Sequence, residues 1–195
     1  EPELAEAMVI ADPAAIHAAR QGARKALAEE LVEDFRLVMT TMQDHGLYSP
    51  DSVSIGRRSL KNLCLAYLSL VDDAEIHQAC FDQYVDADNM TDRMAALTCL
   101  VHNRLPGYQE ALAAFYHRFQ DDPLVVDKWF SLQATAPRPE TLDQVRELME
   151  HPAFTMRNPN RVRSLVGAFA HGNPACFHDP SGAGLDDLNA DRDDV

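Results

Sequence analysis

Basic residues are scarce in this 195-residue chain: 17 Lys and Arg stand against 31 Asp and Glu, a formal net charge of −14. A surface of that sign repels a phosphate backbone instead of releasing its counterions, which argues against a general nucleic-acid binder. Long apolar runs are missing too. The longest, Leu63 to Leu68, falls far short of the roughly 20 residues that span a bilayer, and the first residues carry neither a basic n-region nor an apolar h-region. Neither a membrane span nor a signal peptide is expected. No C-x-x-C pair occurs, and Cys64, Cys80 and Cys99 sit in apolar helical patterns with Cys176 in a loop, which suits a reduced, cytoplasmic setting. The chain opens at Glu1-Pro2-Glu3 without an initiator Met, so it reads as a piece of something longer.

Catalytic signatures are absent as well. H-E-x-x-H, G-x-S-x-G, G-x-x-x-x-G-K-[ST] and G-x-G-x-x-G do not occur, which leaves only dispersed constellations for chemistry.

What is present is a chain 46% hydrophobic and 25% charged, enough for one compact domain or one continuous helical array. Helical periodicity runs almost unbroken to about residue 170, and no stretch reads as a strand. Asp12 caps and Pro13 opens a long amphipathic helix carrying Ile16, Ala19, Ala23, Leu27, Leu31, Phe35, Val38 and Met42, with a bend expected near Gly22. A second helix carries Ile55, Leu60, Leu63, Cys64, Tyr67 and Leu68 on one face and ends near Asp72-Asp73. Shorter helices follow over 73–86, 91–103, 106–120, 123–133, 139–150 and 159–170, with Gly172 as the final stop. Helix pairs recurring at such spacing predict an all-α solenoid of stacked antiparallel pairs, an ARM/HEAT-like superhelix. After Gly172 the composition shifts to Pro, Gly and Asp, so residues 1–180 are expected to form the helical domain and 181–195 an acidic, disordered tail.

Several constellations invite a functional reading. His171, Cys176 and His178, with Asp179 beside them, offer metal donors in a short stretch, against the alternative of a plain loop closing the last helix. Asp86, Asp88 and Asn89 suggest a calcium loop, but Thr91 replaces the Gly and Leu97 the Glu that such a loop requires, which leaves Asn89 or Thr91 to cap the next helix. Arg157, Asn158, Asn160, Arg161 and Arg163 form the one basic concentration, flanking Pro159 at a helix start. Their guanidinium groups could clamp an anion there, or bind carbonyls and carboxylates of neighbouring helices or an adjoining domain. Trp129 and Phe130 read as core, and Glu29, Glu30, Glu33 and Asp34 as the outer face of a helix.

Longer stretches carry a resemblance. Ser59-Leu60-Lys61-Asn62 with Cys64-Leu65, Asn89-Met90-Thr91-Asp92 with Ala95-Ala96-Leu97, Val126-Asp127-Lys128-Trp129-Phe130 with Leu132-Gln133-Ala134-Thr135, and Phe154-Thr155-Met156 through Asn158-Pro159-Asn160-Arg161-Val162-Arg163-Ser164-Leu165 are similar to the C-terminal helical domain of the bacterial aminopeptidase N family, zinc metallopeptidases of the gluzincin type. Gly167-Ala168-Phe169, Asn173-Pro174 and Phe177-His178 extend the likeness, which covers about residues 10 to 180.

The resemblance implies a helical solenoid, incomplete at its C-terminal end, that packs over a catalytic domain and shapes the passage by which peptides enter. It implies zinc in the parent enzyme and none in this chain. The family's zinc ligands, its G-x-M-E-N segment and its catalytic Tyr belong to earlier domains, so no catalytic residue carries over. The helices that supply a Gln and an Arg near the family's substrate channel have no counterpart here. The expectation is a fragment inactive by itself, with self-association through the truncated helical end; the rival reading is a free-standing helical-repeat scaffold for a peptide or protein.

Overall fold

The computed structural model describes residues 2–44, 46, 48–179 and 181. Its elements are α1 (Pro2–Glu6), α2 (Pro13–Glu30), α3 (Val32–Thr41), α4 (Ser52–Leu68), α5 (Ala74–Asp86), α6 (Met90–Asn103), α7 (Tyr108–Phe119), α8 (Pro123–Ala134), α9 (Thr141–Met149), α10 (Pro159–Val162), α11 (Ala168–Gly172) and α12 (Pro174–Phe177), with a π-helical turn over Arg163–Gly167. No strand occurs among the described residues, and none of their helices is long and apolar enough to cross a membrane. Residues 21–114 form one compact unit, and residues up to 20 group with those from 115 onward in another.

Capping chemistry fixes where several of the helices begin. A short side chain at the N-cap accepts from amides that the first turn leaves without partners. Asp12 accepts from the Ala15 amide, Asp51 from Val53 and Ser54, Asp73 from Glu75 and Ile76, Asn89 from Asp92, and Asp122 from Leu124 and Val125. Pro123 and Pro159 then occupy first-turn positions, where a missing N–H costs nothing.

The expected long first helix is divided, and its break lies at Leu31 instead of Gly22. Leu31 leaves helical geometry at φ −109°, ψ 24°. Glu29 and Glu30 place negative charge at the negative end of α2, whereas Glu33 and Asp34 sit in the first turn of α3, where the dipole favours them. Gly22 stays inside the helix, with no heavy atom beyond that helix's backbone and its chain neighbours within 4 Å of where a Cβ would lie.

In the 21–114 unit, α3 and α4 run antiparallel, with the Phe35 and Tyr67 rings stacked at 5.0 Å, and α5 and α6 do the same. α4 and α6 lie side by side and parallel, since Lys61 meets Asp92 and Ser69 meets Asn103. The core between them holds Cys64, Leu65, Leu68, Ile76, Leu97 and Leu100. The inward face of α4 differs from the expected one. Arg58 and Lys61 point inward with Cys64, Leu65 and Leu68, while Ile55, Leu60 and Leu63 are exposed. Buried acceptors for the two cations decide the rotation: Ser49 O accepts from Arg58, and Asp92 accepts from Lys61.

The other unit repeats the scheme. α8 and α9 are antiparallel, joined by Gln144 donating to Gln133 and by the buried Thr141 hydroxyl donating to Ala136 O. α10, the π turn and α11 return parallel to α8, with Asp127 opposite Arg161 and Ser131 opposite Ser164. The single helix expected over 159–170 is thus widened in its middle. A π turn releases a carbonyl from the regular ladder, and here the Ser131 hydroxyl donates to Ser164 O at 2.8 Å. The expected acidic tail lies outside the described residues apart from Ser181.

Candidate functional site

The sequence singles out the Arg157–Arg163 segment, and the structure divides it. Asn158 is an N-cap, accepting from the Asn160 and Arg161 amides at 3.0 and 3.5 Å. Arg161 turns inward and is buried, its Nη1 2.8 Å from Asp127 Oδ1 on α8. Neither Nε nor Nη1 makes a well-aligned hydrogen bond, so Asp127 holds the guanidinium as an ion pair, and the guanidinium carbon lies 5.2 Å from the centroid of the Phe130 ring, a cation–π contact. Asn160, Arg157 and Arg163 are exposed. The five residues therefore do not converge on one point: one guanidinium ties two helices together and two face solvent.

Around Arg161 lies an aromatic cluster. Trp129 and Phe130 are buried, and His151 contacts Tyr116, Trp129 and Phe130 at ring distances of 4.9, 5.3 and 5.9 Å. His151 Nδ1 accepts from the Ala153 amide, and burial together with the Arg161 charge holds its pKa below the ordinary histidine value. The half-buried ring thus braces the aromatics beside Arg161.

The second stretch singled out, His171, Cys176 and His178, is spread over α11, α12 and the residue that ends α12, so Cys176 lies in a short helix and not in the expected loop; the segment is tied to α8. Asn173 is buried, and its amide donates to Ala134 O and Ala136 O at 3.3 and 2.8 Å, closing the C-terminal end of α8. Cys176 Sγ donates to Arg138 O at 3.2 Å, and burial pushes its thiol pKa up. His171 Nδ1 lies 3.0 Å from Gly167 O, and His178 stands edge-on to Phe177. Zinc requires thiolate, imidazole or carboxylate donors converging within about 2.0–2.3 Å of one point. A protonated thiol engaged with a carbonyl does not fit, and among the described residues no three His, Cys, Asp or Glu side chains form such a group. The residues present do not fit a zinc site.

Sequence reading overlooks a third place, in the 21–114 unit. Asp92, buried, accepts from Lys61 Nζ at 2.7 Å, from Asn62 Nδ2 at 2.7 Å and from Asn89 Nδ2 at 3.2 Å, while Gln83 Nε2 bonds Asn62 Oδ1 and Asp92 O. Burial pushes the Asp92 pKa up, but the bonds from Lys61 and Asn62, the Lys61 charge and Asn89 together outweigh it and hold the carboxyl below the usual range. Beside this network a polar cavity of about 420 Å³ is bordered by Gln43, Asp44, Arg58, Asp82, Asp86 and Asp88. Arg58 is buried with it, donating to Ser49 O at 2.7 Å under the Tyr48 ring. The signal was in the sequence: Arg58, Lys61, Leu65 and Leu68 recur at helical spacing, a charged pair on the face the hydrophobic residues also occupy.

Each of these networks joins helices, and none pairs a nucleophile with a general base. The chain is 43% identical over 184 residues to aminopeptidase N of Caulobacter vibrioides, covering 94% of this chain and 21% of that protein. Against aminopeptidase N of Escherichia coli the figures are 38%, 96% and 22%. The solved structure of Legionella pneumophila aminopeptidase A in complex with aspartic acid superimposes with a TM-score of 0.80 at 36% identity, covering 90% of this chain and 21% of that one. The chain thus spans about a fifth of the length of these relatives, and the curated ones are matched in their C-terminal part. Residues 1–190 match the family model described as Domain of unknown function (DUF3458_C) ARM repeats, and the chain belongs to that family.

Proposed function

We propose that this chain is the helical C-terminal region of a zinc-dependent aminopeptidase N, a cytoplasmic enzyme that removes N-terminal residues from peptides. Residues 1–180 form the cap and 181–195 an acidic tail. The cap lies over the catalytic domain and shapes peptide access, while the zinc and the residues of hydrolysis belong to other parts of the polypeptide. The observation that carries this reading is the 43% identity to the C-terminal fifth of an aminopeptidase N. One feature of the chain supports it: its buried charges hold helices in register. The four cysteines are free thiols, as a reducing compartment requires.

The test is an assay of the 195-residue chain with an alanyl chromogenic substrate, beside metal analysis after dialysis. The chain is expected to hydrolyse nothing and to retain no stoichiometric zinc. Activity abolished by a chelator and restored by zinc would overturn the reading.

A further inference from the structure

We propose that the polar cavity of the 21–114 unit binds a short zwitterionic peptide, its carboxylate received by Arg58 and Lys61 and its ammonium by Asp82, Asp86 and Asp88. The cavity, about 420 Å³, has the size of a small-ligand site. Its floor is cationic and buried, since Arg58 and Lys61 border it and are each 4% exposed. Neither cation is saturated. Among the described residues Arg58 donates to Ser49 O alone, because Asp44 lies 3.9 Å away, and Lys61 Nζ donates to Asp92 alone. A guanidinium or an ammonium carries several N–H groups, so donors remain for a carboxylate that enters.

The rim is anionic. Asp82 and Asp86, one helical turn apart on α5, and Asp88 beyond its end border the same cavity and are exposed. Asp82 and Asp88 accept from neutral amides, those of Gln78 and Asn89, and these contacts leave their charge uncompensated. Like carboxylates at that spacing repel one another, a cost that a bound ammonium relieves. Charge of both signs selects the ligand class. A simple anion held at the floor is repelled by the rim, and a simple cation drawn to the rim is repelled by the floor. A molecule with a carboxylate at one end and an ammonium at the other satisfies both, and the Gln43 amide at the cavity wall suits the peptide group between them. The described carboxylates do not converge as a metal ion requires.

The experiment titrates the 195-residue chain by calorimetry with alanylalanine, with its N-acetyl derivative, which keeps the carboxylate alone, and with its C-terminal amide, which keeps the ammonium alone. Saturable binding of alanylalanine is expected, with each derivative weaker by about tenfold or more, the worth of one charge-assisted contact. A double variant, Asp82→Asn with Asp86→Asn, alters two exposed positions and leaves the core intact. Its affinity for alanylalanine is expected to fall by about tenfold, while the N-acetyl derivative binds no worse than before. Absence of saturable binding by alanylalanine overturns the proposal. Equal binding of either derivative overturns it as well, and so does an unchanged affinity in the double variant. Binding is read without turnover, so its failure leaves the aminopeptidase reading standing, and a failure of that reading leaves the cavity's ligand unchanged.

Discussion

Lys61 and Asp92, 31 residues apart, meet at 2.7 Å in the interior between α4 and α6. Asp127 and Arg161, 34 residues apart, meet at 2.8 Å between α8 and α10. Each pair joins two parallel helices that are separated in sequence by one antiparallel helix, α5 in the first case and α9 in the second.

Removing one partner leaves the other charge buried. Asp92→Ala is expected to cost about 3–5 kcal/mol in urea unfolding, because it strands Lys61 and unpairs Asn62. The double variant Lys61→Met with Asp92→Leu recovers most of that loss. A double variant as unstable as Asp92→Ala would show that packing, not the stranded charge, sets the cost.

The basic segment separates into unequal parts. Arg161→Ala is expected to destabilise by about 3 kcal/mol, whereas Arg157→Ala and Arg163→Ala, both exposed, change stability by about 0.5 kcal/mol or less. Thermal melts of the three variants check the order. A large loss at Arg157 or Arg163 would assign those side chains contacts that the structure does not give them.

Acid weakens the fold in two windows. The His151 pKa is depressed, so the unfolded chain binds more protons than the folded one, and stability falls as pH drops through the unfolded histidine value of about 6.5. The loss levels off below the folded value. Asp92 is depressed from the carboxylate value, so its contribution stands above about pH 3.9 and disappears as pH falls through its folded value. Unfolding midpoints from pH 8 to 3 are expected to flatten between 7 and 5 in His151→Asn. They flatten below 4 in Asp92→Asn.

Gly107 has φ +81°, and a Cβ there would lie 2.7 Å from the Phe81 ring. Gly107→Ala combines backbone strain with a clash and is expected to cost about 2 kcal/mol or more. Gly22→Ala, inside α2 with open space around it, is expected to stabilise by about 0.4–1 kcal/mol. Melting temperatures moving in the same direction for both variants would contradict this.

Helix starts were legible because caps and first-turn prolines act locally: Asp12, Asp73 and Asn89 mark three starts, and Pro123 and Pro159 two more. The aminopeptidase resemblance rested on segments that include Lys61, Asp92, Asp127 and Arg161, the residues whose burial holds the stacking together. What local reading missed depends on distant partners. The inward face of α4 is chosen by Asp92, which no window around residue 61 contains. The π turn at Arg163–Gly167 answers to Ser131 on another helix, and the break at Leu31 follows from charge at both helix ends, not from the glycine that drew attention.

The two ionic crosslinks carry opposite polarity. In one unit the cation sits on the earlier helix; in the other it sits on the later one. Were α4 to take α10 as its neighbour during assembly, ammonium would face guanidinium in a medium that tolerates neither alone. Sign reversal therefore excludes two wrong neighbours, α4 beside α10 and α6 beside α8, where like charges would be buried face to face.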